Sequence, residues 1–296
     1  MAGPNAGIRL LKRRRFLKST VATVASMPIL CAIDALAIEP HWVETVRVDL
    51  RIKNLPEAFV GKKIVQISDL HCSRVVSEQY LQECVNDINR LDPDFVVLTG
   101  DYITYDGKNG YKEKVAQAIG GIKARLGVFA VLGNHDYGVI TRFHQNGKAE
   151  LREYLTDQIT KSGHQMLKNE SFAIEIDRSR LWIVGLGDLW AGDFHPEKAF
   201  AGVPRDEATI ALSHNPDTFK RLQEHSADVV LSGHTHGGQV HLPMLGPPVL
   251  PVKDKQYHAG LFSRGDKQLY VNRGLGRIGR LRFNCRPEIT LFTLAR

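Results

Sequence analysis

The chain has 296 residues, 43% of them hydrophobic, which is enough to bury a large core. Its net charge of +7 sits mostly at the N-terminus: residues 1–37 hold six basic side chains (Arg9, Lys12, Arg13, Arg14, Arg15 and Lys18) against Asp34, leaving a net +2 for the rest. A nearly neutral body argues against nucleic acid as the main partner, and the scattered Cys72, Cys84 and Cys285 give no disulfide framework.

The N-terminal stretch reads as an export signal. Arg13-Arg14-Arg15-Phe16-Leu17-Lys18 matches the twin-arginine pattern. Residues 21–33 follow, uncharged and apolar but short for a bilayer span, and Ala35-Leu36-Ala37 offers small residues for cleavage. The expected organisation is a signal segment over 1–37, cut or retained as an anchor, and one domain over 45–296. That places the domain in the periplasm or on the outer face of the cytoplasmic membrane, with membrane association open.

Alternating Val46, Val48, Leu50 and Ile52 predict a half-buried strand over 45–52. Apolar runs predict strands over 63–68, 94–98 and 127–132. Between them fall a helix capped by Ser77, with Leu81, Cys84, Val85 and Ile88 on its apolar face, and a helix over 112–123. A helix over 149–162 precedes strands over 171–176 and 181–186, then 208–212. Pro216 opens a short helix to Gln223, followed by a strand over 228–231. Later strands are expected over 239–242, 258–262, 268–271 and 288–294. This alternation suggests an α/β fold of two packed sheets with helices outside.

Polar motifs follow five of these strands: Asp69-Leu70-His71, Gly100-Asp101, Gly133-Asn134-His135-Asp136, Ser213-His214 and Gly233-His234-Thr235-His236. Singly, each has an ordinary reading as a turn or a helix cap. Together they form a donor set of carboxylates, one amide oxygen and imidazoles at strand ends, where α/β sheets bind ligands. The absence of thiolate disfavours a structural zinc cluster. Mn²⁺, Fe²⁺/³⁺ or Zn²⁺ suit such donors, and their number suits two divalent ions sharing a carboxylate.

The order of these motifs is similar to that of the calcineurin-like metallophosphoesterases. The resemblance implies a four-layered α/β/β/α sandwich of two mixed sheets flanked by helices. It implies one ion on Asp69, His71 and His236, a second on Asn134, His214 and His234, and Asp101 as the bridge. It also implies a metal-bridging hydroxide attacking phosphorus in line, with His135 near the leaving group and oriented by Asp136. Gly237-Gly238-Gln239-Val240, Asn272-Arg273-Gly274-Leu275-Gly276 and Arg286-Pro287-Glu288 resemble a membrane-associated bacterial branch. That branch includes phosphodiesterases and UDP-diacylglucosamine pyrophosphatases of lipid A synthesis.

The expected activity is therefore a phosphodiesterase. The alternatives are a pyrophosphatase acting on a nucleotide-linked lipid and a non-catalytic envelope protein that binds through its metal site. The export signal weighs against the lipid substrate, because UDP-linked lipids are made on the cytosolic side. Two features bear on substrate. Residues 242–252 are apolar and broken by prolines, suited to a lipid surface or to a buried loop. Arg273, Arg277, Arg280 and Arg282 could clamp phosphate or form a solvated basic face. Asp188 and Trp190 are candidate pocket residues, and His241 stands near the histidine pair in sequence.

Overall fold

A computed structural model describes residues 27–105, 107, 109–141, 143 and 148–296. The twin-arginine motif and His144 lie outside the described residues. Residues 27–33 are helical and run into a π-helical turn, Asp34–Ile38. No helix among the described residues is long and apolar enough to cross a membrane.

Twelve strands build two six-stranded mixed sheets. The first orders β1 (Glu44–Arg51), β12 (Glu288–Ala295), β2 (Lys63–Ile67), β3 (Phe95–Thr99), β4 (Val128–Val131) and β5 (Gln165–Met166). The second orders β10 (Gly260–Arg264), β11 (Lys267–Val271), β9 (Val229–Ser232), β8 (Thr209–Leu212), β7 (Ser179–Gly185) and β6 (Glu170–Ile176). Pairing is parallel except at β12–β2, β10–β11 and β6–β7.

Alternation along each strand divides the core. On β3, Phe95 and Val97 face the other sheet and pack with Phe129, Val131, Ile183, Ile210 and Leu231. Val96 and Leu98 point outward, to Leu81, Ile88, Val115 and Leu155 on helices Glu78–Arg90, Tyr111–Ile119 and Ala149–Lys161. Ser77 caps the first of these helices, accepting from the Tyr80 N–H at 3.2 Å. Outside the second sheet, Val184, Ala211 and Val230 are covered by Phe200, Phe219 and Leu222. The layering is thus the expected α/β/β/α sandwich.

The fourth layer carries little helix. The helix expected from Pro216 is a single 3₁₀ turn, Pro216–Thr218, because Asn215 accepts from the Asp217 N–H and starts a tight turn. The strand expected over 239–242 is also absent. Gln239 takes a left-handed backbone at φ 60°, and only isolated bridges, Val240 to Phe283 and Leu242 to Gly246, form there. β5 is a two-residue strand that carries no alternation signal.

The glycine-rich segment before β12 is held by a buried arginine. The Arg282 guanidinium donates to the carbonyls of Arg273, Gly274 and Gly276 at 2.8, 3.0 and 2.6 Å, and to that of Cys285 at 3.0 Å. Arg273 pairs with Glu44 and Glu288, and Arg277 donates to the Pro40 and Val75 carbonyls. Of the four arginines for which a phosphate clamp or a solvated face was open, three therefore hold structure instead. An Arg282→Met variant strands four carbonyls and is expected to lose on the order of 3 kcal/mol. That would appear as a fall of roughly 5–10 °C in thermal midpoint, and an unchanged midpoint would rule the bracing role out.

Candidate metal centre

Strands β2, β3, β4, β8 and β9 deliver their polar loops to one edge of the sandwich. There the loops hold one another through backbone. The Asp69 N–H donates to the Gly100 carbonyl at 2.8 Å, and the His71 N–H to the Asp101 carbonyl at 3.0 Å. The two sheets join in the same place: the His234 N–H donates to both oxygens of Asp69, at 3.1 and 3.0 Å, and Gln66 reaches the Ser232 carbonyl at 3.0 Å.

Turning the side chains inward requires unusual backbone. Asp69, His71, Asp101, His234 and His236 all have φ between 47° and 70°, the left-handed region that non-glycine residues seldom occupy. Two glycines make room. A Cβ on Gly233 would lie 1.9 Å from Ser68 Oγ and 2.3 Å from Asp69 Oδ2. A Cβ on Gly133 would lie 2.3 Å from Asp101 Oδ1.

The result is a buried cage with two lobes. In one, His71 Nε2 and His236 Nε2 are 3.0 Å apart, and Asp69 Oδ1 is 3.3 Å from His236 Nε2. In the other, His214 Nε2 lies 3.2 Å from His234 Nδ1. Asp101 joins them, its Oδ2 being 3.5 Å from His71 Nε2 and 3.2 Å from His214 Nε2. Asn134 follows Gly133 into the same loop; its amide nitrogen donates to the Val139 carbonyl at 2.6 Å, and its buried Oδ1 has no hydrogen-bond partner.

Backbone carbonyls fix the ring orientations. The His214 Nδ1–H donates to the Thr99 carbonyl at 2.7 Å, and the His135 Nδ1–H to the Thr104 carbonyl at 2.6 Å. The His234 Nε2–H donates to the Pro251 carbonyl at 3.0 Å. A carbonyl only accepts, so each contact places a proton on the bonded ring nitrogen and leaves the other nitrogen as the atom a metal could take.

Electrostatics favour the same chemistry. Burial lowers His71 and His234 to about 3 and holds His236 well below its ordinary value, so these imidazoles are neutral donors. Burial raises Asp69 to about 6, with Asp101 adding to the rise. Burial opposes ionisation of Asp101 as well, but the imidazoles of His214 and His135 outweigh it and hold that carboxyl well below the usual range. The same pairing takes His214 to about 10 despite its burial. Three groups of donors close enough to share an ion result: Asp69, His71 and His236; His71, Asp101 and His135; Asp101, His214 and His234. An orphaned amide oxygen, neutral imidazoles and carboxylates in one buried volume fit a pair of divalent cations.

Asp136 requires a correction. Its carboxylate does not touch His135. It accepts from the backbone N–H groups of Asp101, Tyr102 and Gly133 at 2.8, 2.8 and 2.9 Å, bracing the two loops that carry Asp101 and His135. The ring of His135 is oriented by the Thr104 carbonyl instead. Around the cage, the Trp190 ring stands perpendicular to that of His234, with centroids 4.4 Å apart. Asp188 is buried nearby; burial raises it to about 6, and its Oδ2 has no partner. His241 binds the Gly237 carbonyl and takes no part in the three donor groups. Sequence reading missed Thr104, Thr99 and Pro251, which act through main-chain oxygens that every residue type carries.

Two mixed sheets with aspartate, asparagine and histidine from five strand ends meeting at one edge define a metallophosphoesterase, a phosphoric ester hydrolase. Residues 62–238 match the calcineurin-like phosphoesterase family, and the chain belongs to it. It is 33% identical over 286 residues to the phosphodiesterase YaeI of Escherichia coli K12, covering 96% of this chain and all of that protein. It is 34% identical over 326 residues to the UDP-2,3-diacylglucosamine pyrophosphatase LpxG of Chlamydia muridarum, covering 93% and 97% of the two chains. The metallophosphoesterase YkuE of Bacillus subtilis is 33% identical over 294 residues, covering 97% and 99%.

Proposed function

We propose that the chain is a binuclear metal-dependent phosphodiesterase. In this reading Asp69, His71 and His236 hold one cation, Asn134, His214 and His234 the other, and Asp101 serves both. The observation that carries it is the placement of one Asp101 oxygen within 3.5 Å of a nitrogen from each lobe. A pair of Mn²⁺, Fe²⁺/³⁺ or Zn²⁺ ions held by these residues would supply Lewis acidity to a phosphoryl group and to water. Asp101 sets the spacing of the lobes. With its Nδ1–H fixed by Thr104, His135 would act in its imidazolium form, passing the second ring proton from Nε2 to the departing oxygen and ending as the neutral ring.

Purified full-length protein is expected to contain two metal atoms per chain and to hydrolyse bis-(p-nitrophenyl) phosphate. Chelation should abolish turnover and Mn²⁺ should restore it; activity indifferent to chelation would overturn the reading, as would binding of metal with no hydrolysis.

A lipid-linked pyrophosphate is the second reading. The observation favouring it is the loop over 242–252. Its base adjoins the cage through the Pro251 carbonyl, while Met244, Leu245 and Val249 project into solvent. The similarity to LpxG supports the same reading. Nucleotide-linked lipids assayed beside small diesters separate the two. We place the domain on the exported side of the membrane on the strength of the Arg13–Lys18 motif, and a fusion to a periplasm-specific reporter tests that placement.

A further inference from the structure

Across Thr104 from the cage lies a second hollow, of about 330 Å³. Ser73 and Arg74 reach it from the loop after β2, Thr104 and Tyr105 from the loop after β3, and Arg280 from the glycine-rich segment before β12. Thr104 is the shared wall. Its carbonyl holds His135, and its hydroxyl lies 3.3 Å from His71 Nδ1.

The hollow is built for negative charge. Arg74 and Arg280 are both exposed, and no acidic side chain is among the lining residues. Unlike Arg273, Arg277 and Arg282, Arg280 has no hydrogen bond or ion pair among the described residues. Ser73 is only 6% exposed, yet its hydroxyl has no hydrogen-bond partner. A buried hydroxyl left unpaired is costly, and an anion entering the hollow would meet two guanidinium groups and no carboxylate. Guanidinium forks and a hydroxyl are the donors that phosphate oxygens take.

We propose that this hollow is a subsite for a second phosphoryl group, joined to the one that reacts in the cage. The enzyme would then prefer diphosphate-bridged esters to simple diesters. The preference rests on the phosphoesterase reading; the anion subsite stands on its own residues.

The test compares the wild-type full chain with an Arg74→Ala/Arg280→Ala variant, both Mn²⁺-loaded. For ADP-ribose, the variant should raise KM, or Ki where the compound only inhibits, by about tenfold or more. Kinetics on bis-(p-nitrophenyl) phosphate should be unchanged. Inorganic pyrophosphate titrated calorimetrically into the chelator-treated full chain should bind the variant about tenfold more weakly. Equal pyrophosphate binding overturns the subsite. Weaker pyrophosphate binding with ADP-ribose constants unchanged makes it a site for free anions and overturns its role in substrate choice. If the wild type turns over no ester at all, the phosphoesterase reading fails, and the titration still decides the subsite.

Discussion

An Asp101→Asn variant is expected to lose most of its bound metal and to lower kcat on bis-(p-nitrophenyl) phosphate by about 10³-fold or more. The substitution keeps the size of the side chain and an oxygen able to accept the His135 N–H bond, now 2.9 Å long at Oδ1. What it removes is charge. Asp101 is the member common to the two lobes, with one oxygen 3.5 Å from His71 Nε2 and 3.2 Å from His214 Nε2. Asparagine would leave two bound cations with no carboxylate between them. Elemental analysis and turnover should therefore fall together while the thermal midpoint changes little. Two metal atoms per chain with near-normal turnover would remove Asp101 from the centre of the mechanism.

His135→Ala separates binding from chemistry. His135 is not among the seven proposed ligands, and the group it forms with His71 and Asp101 keeps two of its three donors without it, so metal content is expected to stay near the wild-type level. Turnover of esters with poor leaving groups should fall by about 10²–10⁴-fold, the usual worth of a positioned general acid. A p-nitrophenolate leaving group needs little protonation, so the loss on activated esters should be smaller. The structure supports a single competent pose. The ring is pinned at Nδ1 by Thr104 and stands perpendicular to His71, with centroids 4.8 Å apart. A loss independent of leaving-group pKa would assign His135 to substrate placement instead.

Much of this was legible in the chain because buried strands are apolar runs with sharp ends. Val96 and Val97 could each face a core, and Asp101 could come just after β3, only if the strand ended in a turn at Gly100. The five motif loops were readable for the same reason. Parallel strands aligned in register place their C-terminal ends on one edge, so residues far apart in sequence meet without a long-range signal of their own. The misreadings have a common origin. Asp136 next to His135 looks like a dyad, but side chains of consecutive residues need not meet, and in the 3₁₀ turn Asn134–Tyr137 the carboxylate turns back to the backbone. For the arginines among glycines the sequence left a phosphate clamp and a solvated basic face both open, because spacing does not show which of them meet bare carbonyls. Arg282 meets four and disappears into the core, while Arg280, two residues earlier, stays at the surface.

Placement of β12 between β1 and β2 has a consequence for biosynthesis. β2 leads directly to Asp69, yet its antiparallel neighbour is separated from it by residues 68–287. While the ribosome is still making the intervening stretch, the edge of β2 is open and the Arg282 brace is missing. The first sheet can close only after β12 has been threaded into the gap. A nascent chain stalled before residue 288 is therefore expected to emerge with the edge of β2 unpaired.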